Sequence, residues 1–325
     1  MNTKLVATTL AIVLGVGALL PRALAADESR ELVRIGLLST HADTRDDLRA
    51  RLKALGWIEG KNVVYEFRDG QGQSACLPQV AMELLRLKPD VIVAFTNVPA
   101  FAAKGVTSTI PIVVWAAHDA VGTGLARSLA RPGGNVTGTE SLAPELDAKR
   151  LQLLKQIVPS LKTLAVLYNP NDQGSPIHLK WTQEAGAKFG FGITHLEVRS
   201  AADYDATLAA AAGKPLDGLL MLTDNVTFPN WPRVGDFALR NRLPTVCEFS
   251  QLVDGGCLIS YGPTFAEFTE RVAQQVDRIL RGAKPTELPF EQPTRFELVV
   301  NMKTARAIGV AIPQAVLLQA TRVIE

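Results

Sequence analysis

The sequence is poor in the residue types that most often carry chemistry. It has three cysteines and four histidines in 325 residues. Cys76, Cys247 and Cys257 form neither a disulfide scaffold nor a CxxC metal pattern. The chain has no GxSxG nucleophile elbow, HExxH zinc motif or GxxxxGK[ST] phosphate loop, and no GxGxxG follows its first predicted strand. Its histidines and aspartates are too dispersed for a metal site. Charge of one sign is lacking too. The formal net charge is +2, from 34 basic and 32 acidic side chains. Residues 1–25 hold Lys4 and Arg22 and no acid, so without them the two counts are equal. A neutral chain has no electrostatic footprint for nucleic acid or an anionic membrane. Aromatics make up 6% and hydrophobic residues 47%, a globular balance that argues against disorder and a coiled coil.

One long apolar run is present, Leu5–Leu20, between the basic Lys4 and the small-residue sequence Ala23-Leu24-Ala25. It is short for a membrane span, which needs about 20 apolar residues. The pattern predicts a signal peptide over residues 1–25, a mature N-terminus at Ala26 and a periplasmic product. The remaining 300 or so residues are enough for two domains at about 150 residues each.

Short β-branched runs alternate with helical patterns almost from end to end. Strands are predicted at Val33–Leu38, Asn62–Phe67, Asp90–Phe95 and Pro111–Trp115, with helices at Asp43–Leu55, Leu77–Leu87 and Pro144–Val158. Asp90–Phe95 is nearly all apolar, as a strand covered on both faces should be. Arg131-Pro-Gly-Gly-Asn135 is a strong turn. The series then restarts. Strands are predicted at Thr163–Tyr168, Ile193–Val198, Asp217–Leu222, Thr245–Glu248, Cys257–Tyr261 and Phe296–Asn301, with helices at Ser175–Phe189, Phe265–Leu280 and Lys303–Ile308. This predicts an α/β protein of two doubly wound parallel-sheet lobes. Cys247 and Cys257 lie ten residues apart on neighbouring apolar runs. They can pair, or remain two buried thiols.

Ligands of open α/β sheets bind outside the carboxyl ends of the strands. In the first half those positions hold Ser39, Thr40, His41, Thr96, Asn97, His118 and Asp119. In the second half they hold Asn169, Thr223, Asp224, Asn225, Glu248 and Tyr261. A cleft between two lobes would collect them all. The Ser39, Thr40 and Thr96 hydroxyls suit a carboxylate, and Asp224 or Glu248 suits an ammonium group. Trp115 and Tyr261 are candidates for an apolar or stacking wall. The expected ligand is a small amino acid or similar carboxylate-bearing solute. A competing reading pairs His41 with Asp119 as acid and base of an exported enzyme. It lacks an activated nucleophile or a metal partner.

Four segments resemble the motifs of one family. Gly56-Trp57-Ile58-Glu59-Gly60-Lys61-Asn62 is similar to the G-[YW]-x-E-G-x-N turn of a family of bacterial ABC-transporter substrate-binding proteins. Asp119–Leu125 (DAVGTGL) resembles its D-P-V-G-x-G-L loop, with Ala120 where proline is usual. Arg131–Gly138 (RPGGNVTG) matches its hallmark unchanged, and Asn301–Pro313 resembles its closing segment. The resemblance runs from about Val33 to Pro313. It implies the type I periplasmic binding protein fold, with two lobes joined by a hinge. Residues 26–143 plus 262–282 would form lobe one, and 144–261 plus 283–325 lobe two. It also implies a receptor that closes on a small-molecule ligand and is read by an ABC permease of the inner membrane. Some members bind aromatic amino acids. A monomer is expected, with no cofactor, no metal and no nucleic-acid partner.

Overall fold

A computed structural model describes residues 32–40 and 45–325. The predicted signal peptide, the N-terminus at Ala26, His41 and the first residues of the helix predicted from Asp43 lie outside the described residues.

The first lobe is built from β1 (Val33–Ser39), α1 (Arg45–Ala54), β2 (Val63–Asp69), α2 (Leu77–Arg86), β3 (Val91–Phe95), α3 (Asn97–Val106), β4 (Ile112–Ala117) and β5 (Val136–Glu140). Its sheet has the order β2-β1-β3-β4-β5, with every pair parallel. Every residue of β3 (VIVAF) and β4 (IVVWAA) is buried, which explains their unbroken apolar runs. The edge strand β5 (VTGTE) carries polar residues and is buried nonetheless. Its hydroxyls are satisfied: Thr137 donates to the Leu288 carbonyl at 2.8 Å, and Thr139 Oγ1 accepts the Ala116 N–H at 2.9 Å. Gly138 ends the unchanged motif at the point where β5 meets β4. Its φ is 153°, and a Cβ there would lie 2.3 Å from the Val114 carbonyl, so only glycine fits.

The chain then forms α4 (Ala143–Ile157), β6 (Thr163–Tyr168), α5 (Ser175–Phe189), β7 (Gly192–Glu197), α6 (Tyr204–Ala212), β8 (Gly218–Met221), α7 (Trp231–Arg240), β9 (Thr245–Cys247), α8 (Ser250–Asp254) and β10 (Ile259–Pro263). It continues through α9 (Phe265–Leu280), β11 (Phe296–Asn301), α10 (Met302–Ile308), α11 (Gln314–Leu317) and β12 (Arg322–Ile324). The second sheet has the order β12-β11-β10-β9-β8-β6-β7. It is parallel apart from the β10–β11 pair, which runs antiparallel because the chain returns from the first lobe in the opposite sense.

Three segments connect the lobes. The first leaves β5 at Glu140 and enters α4. The second is Thr264, between β10 and α9. The Thr264 hydroxyl accepts the Glu267 N–H and caps α9. That helix buries Phe268, Val272, Ala273, Val276 and Ile279 in the first lobe. The third segment departs from the sequence expectation. The tail was expected to rejoin lobe two directly after Gly282. It stays on lobe one instead, where Leu288 and Phe290 are buried in the first lobe's cores. Glu291 N–H donates to the Gly138 carbonyl at 2.9 Å, and Glu291 bridges to Thr139. This segment covers the edge of β5, so the crossing falls between Glu291 and Phe296.

Cys247 and Cys257 form a disulfide, so the pairing alternative holds, and Cys76 is free and exposed. The bond closes a loop of ten residues around α8. Loop closure of that length removes about 2–3 kcal/mol of unfolded-state entropy. Cys247→Ala with Cys257→Ala is expected to lower stability by about that amount, read as a reduced urea midpoint. An unchanged midpoint would show that the bond contributes no stability.

Candidate functional site

The carboxyl ends of β1, β3 and β4 face those of β6, β8 and β9 across the gap between the lobes. At the end of β3, Thr96 has φ 75° and ψ −175°, a conformation that side chains other than glycine rarely adopt. Ala116, near the end of β4, also has a positive φ, 55°. Both strained residues line one cavity of about 100 Å³ that residues of both lobes form together.

Aromatic rings make most of its wall. Phe95, Trp115 and Phe265 come from lobe one, and Phe228 and Phe249 from lobe two. The rings meet across the gap, with Phe249 edge-on to Phe265 at 4.6 Å and Phe228 tilted against Phe265 at 5.5 Å. Trp115 packs edge-on to Phe265 at 4.9 Å, and its indole N–H donates to Thr269 Oγ1 at 3.1 Å. That hydrogen bond fixes the ring as a wall. A polar bond also spans the gap: the Asn225 amide donates to Thr96 Oγ1 at 2.8 Å.

The polar end of the cavity belongs to the loop after β8. Asp224 Oδ1 accepts the N–H groups of Val226 and Thr227, both at 2.7 Å, which fixes the turn. Its Oδ2 is buried and makes no well-formed hydrogen bond, although the Asn169 amide lies near the carboxylate, and the hydroxyl of the neighbouring Thr223 is likewise buried without a partner. Asp172 stands alongside. Its Oδ1 accepts Gly174 and Ser175 N–H groups, while its buried Oδ2 has no partner. Burial, then the Asp172 charge, push the Asp224 carboxyl up to about 7, against the pull of its backbone donors and the Asn169 amide.

Behind this loop lies a fully buried ion cluster. Asp147 Oδ1 accepts from Arg150 at 2.7 Å, and Oδ2 accepts from the Thr182 hydroxyl at 2.7 Å. His178 Nε2 approaches that same Oδ2 to 2.5 Å. Burial opposes a charge on His178, but Asp147 and Glu248 outweigh it and raise the imidazole above its usual value. Burial likewise opposes ionisation of Asp147, yet His178 and Arg150 hold it below the usual carboxylate range. His118, also buried, is pushed down by burial despite Glu248 and Asp172, so it is neutral at pH 7.

Of the residues singled out in the sequence, Ser39, Thr96, His118, Asp224 and Asn225 line the cavity, as do Thr223 and Trp115. Thr40 is buried beside Ser39, and its carbonyl accepts the Gly72 N–H. Asn97 lies underneath, its amide exchanging two hydrogen bonds with the His118 backbone at 2.8 and 2.9 Å. Asn169 touches the site only through Asp224. Glu248 faces inward, accepting the Thr223 N–H at 3.1 Å and lying 3.8 Å from His178. The Asp119 carboxylate is engaged in its own turn with the Gly122 N–H at 2.7 Å. Tyr261 is not part of the wall, because its ring stacks on Phe296 in the second lobe. Phe249, one residue beyond Glu248, also reaches the wall and is not among the strand-end candidates. The strand-end rule also missed Asp172, three residues beyond Asn169. Nothing in the sequence signalled Phe228 or Phe265, which reach the cavity through tertiary packing.

Folded Asp224 keeps its proton to about pH 7, whereas an unfolded carboxyl loses it near 4. The folded state therefore binds the extra proton in that window, and this group makes the protein less stable as pH rises through it. Asp224→Asn should erase that slope. Its stability relative to the parent is expected to rise by on the order of 2 kcal/mol between pH 5 and pH 8, measured by urea unfolding. The same difference at both pH values would show that Asp224 ionises freely.

Comparison with known proteins agrees with this architecture. The model of the ABC transporter substrate binding protein family matches residues 39–324. A curated tyrosine-binding protein of Clostridioides difficile is 26% identical over 286 residues, covering 86% of this chain and 82% of its own. The crystal structure of a conserved domain protein from Vibrio cholerae is 30% identical, with a TM-score of 0.86 over 90% of this chain and all of that one. The structure of an ABC domain from Streptococcus pneumonia in complex with L-Trp is 23% identical, with a TM-score of 0.83 over the same shares. Proteins of this family bind small molecules and deliver them to ABC permeases, and among the described residues no helix is long and apolar enough to cross a membrane. With its two facing α/β lobes and the cavity between them, the chain belongs to the ABC transporter substrate-binding proteins.

Proposed function

We propose that this protein is an exported periplasmic receptor, released from its signal peptide near Ala25, that captures an L-amino acid with an aromatic side chain. It works as a monomer, without catalysis and without a nucleic-acid partner. One observation carries the ligand assignment: an aromatic-walled cavity ends on a buried carboxylate oxygen, Asp224 Oδ2, that has no partner. A buried acceptor of this kind calls for a charge-assisted donor such as an α-ammonium group. An aromatic side chain is then held against the rings of Trp115, Phe265, Phe228 and Phe249 that line the cavity. The carboxylate turns toward Ser39, Thr96 and the N-terminus of α3, where the helix dipole favours an anion. The tyrosine-binding relative and the L-Trp complex support the same ligand class.

Such a ligand touches both lobes only when they are closed, so it binds the closed state more tightly and shifts the population toward it. Titration calorimetry with the amino acids, sugars and nucleosides tests the assignment. Aromatic L-amino acids are expected to bind, and a ligand at about 100 times its dissociation constant adds about 2.7 kcal/mol of stability. Asp224→Ala should weaken binding by about 100-fold or more, because an ion pair loses one member. Phe249→Ala should cost roughly 10-fold or more in lost ring contact. Binding confined to sugars or nucleosides, or an Asp224→Ala variant as tight as the parent, would overturn the proposal.

A further inference from the structure

The two ends of an amino acid meet unequal partners in this cavity. The ammonium end meets an excess of hydrogen-bond acceptors. Asp224 Oδ2, Asp172 Oδ2 and the Thr223 hydroxyl are all buried without hydrogen-bond partners, and Asp224 and Thr223 line the cavity itself. Among the described residues the carboxylate end meets no cation, since no lysine or arginine of these lines the cavity. The two buried cations nearby are committed elsewhere. Arg150 gives Nη1 to Asp147 and Nε to the Tyr261 carbonyl, both at 2.7 Å. His178 lies between Asp147 and Glu248. His118, the one imidazole among the described residues of the wall, is neutral at pH 7 and offers a hydrogen bond but no charge.

Resting on the aromatic amino acid reading above, we infer that recognition is directed at the ammonium group and that the receptor also takes arylalkyl primary amines, which lack the carboxylate altogether. The aromatic wall holds the ring of such an amine as it holds that of an amino acid. The unpartnered oxygens of Asp224 and Thr223 receive its ammonium protons. Removing the carboxylate forfeits only neutral hydrogen bonds, which are individually weak. It also relieves an anion that would otherwise be desolvated in a compartment already holding Asp172, Asp224 and Glu248. An arylalkanoic acid has the opposite balance. It brings a second anion and leaves the Asp224 oxygen unpaired.

Titration calorimetry of the full mature chain at pH 7.5 separates these cases, with L-tryptophan and L-tyrosine beside tryptamine, tyramine and 3-phenylpropionate. The amines are expected to bind within about 30-fold of the matching amino acid, and 3-phenylpropionate at least 1,000-fold more weakly. Asp224→Asn should abolish amine binding while thermal unfolding remains cooperative, which rules out loss of the fold. If the amino acids bind and the amines do not, the inference fails while the aromatic amino acid reading stands. If 3-phenylpropionate binds as well as the amino acids, the inference fails and the carboxylate is the recognised end. If neither amino acids nor amines bind, both readings fall together.

Discussion

Asp147 ties the second lobe's cleft face together. It has no exposed surface, and its two oxygens receive Arg150, the Thr182 hydroxyl and the His178 ring. Each partner extends the network. Arg150 reaches the Tyr261 carbonyl on β10, which leads into the second crossing between the lobes. His178 faces Glu248, and Glu248 in turn holds the Thr223 N–H beside Asp224. The helix pair α4–α5, the crossing strand and the ligand-facing loop are thus oriented by one buried acid. Breaking such a pair strands an uncompensated charge, typically at about 3–5 kcal/mol. A cluster of this kind specifies geometry more than it adds stability.

That arrangement gathers buried carboxylate oxygens at the cleft. Asp224 gives one oxygen to its own turn and keeps the other without a partner. Asp172, close by, adds a second carboxylate in the same condition. A protein selected for stability alone would pair these groups or replace them with apolar residues. In the reading proposed above, the ligand's ammonium group is received where these acceptors gather.

Much of this organisation was legible in the sequence, and the gaps have identifiable causes. Fully buried strands such as VIVAF and IVVWAA announce themselves because no polar residue interrupts them. The helices Ser175–Phe189 and Phe265–Leu280 were bounded correctly, by a serine and proline at one start and a glycine after the other end. β5 was invisible, because VTGTE has neither alternation nor an apolar run and depends on distant carbonyls to satisfy its threonines. The return of the tail to lobe two was placed too early for a related reason. Residues 284–291 have no regular pattern, and only the uncovered edge of β5 explains where they lie. At the site, strand-end logic located Ser39, Thr96, His118, Asp224 and Asn225 on the cavity wall. It included Tyr261 because sequence cannot show which way a strand-end ring turns. It overlooked the Asp147–His178 pair because two helices bring those residues together.

The disulfide brackets more than a loop. Between Cys247 and Cys257 lie Glu248, which holds the Thr223 backbone, and Phe249, which forms part of the aromatic wall. A covalent clamp across β9 and the entry to β10 therefore steadies two elements of the binding surface at once. In a reducing compartment the same chain would keep its sheets but carry a looser wall. Reduction of the bond would then be felt at the cavity as well as in the fold.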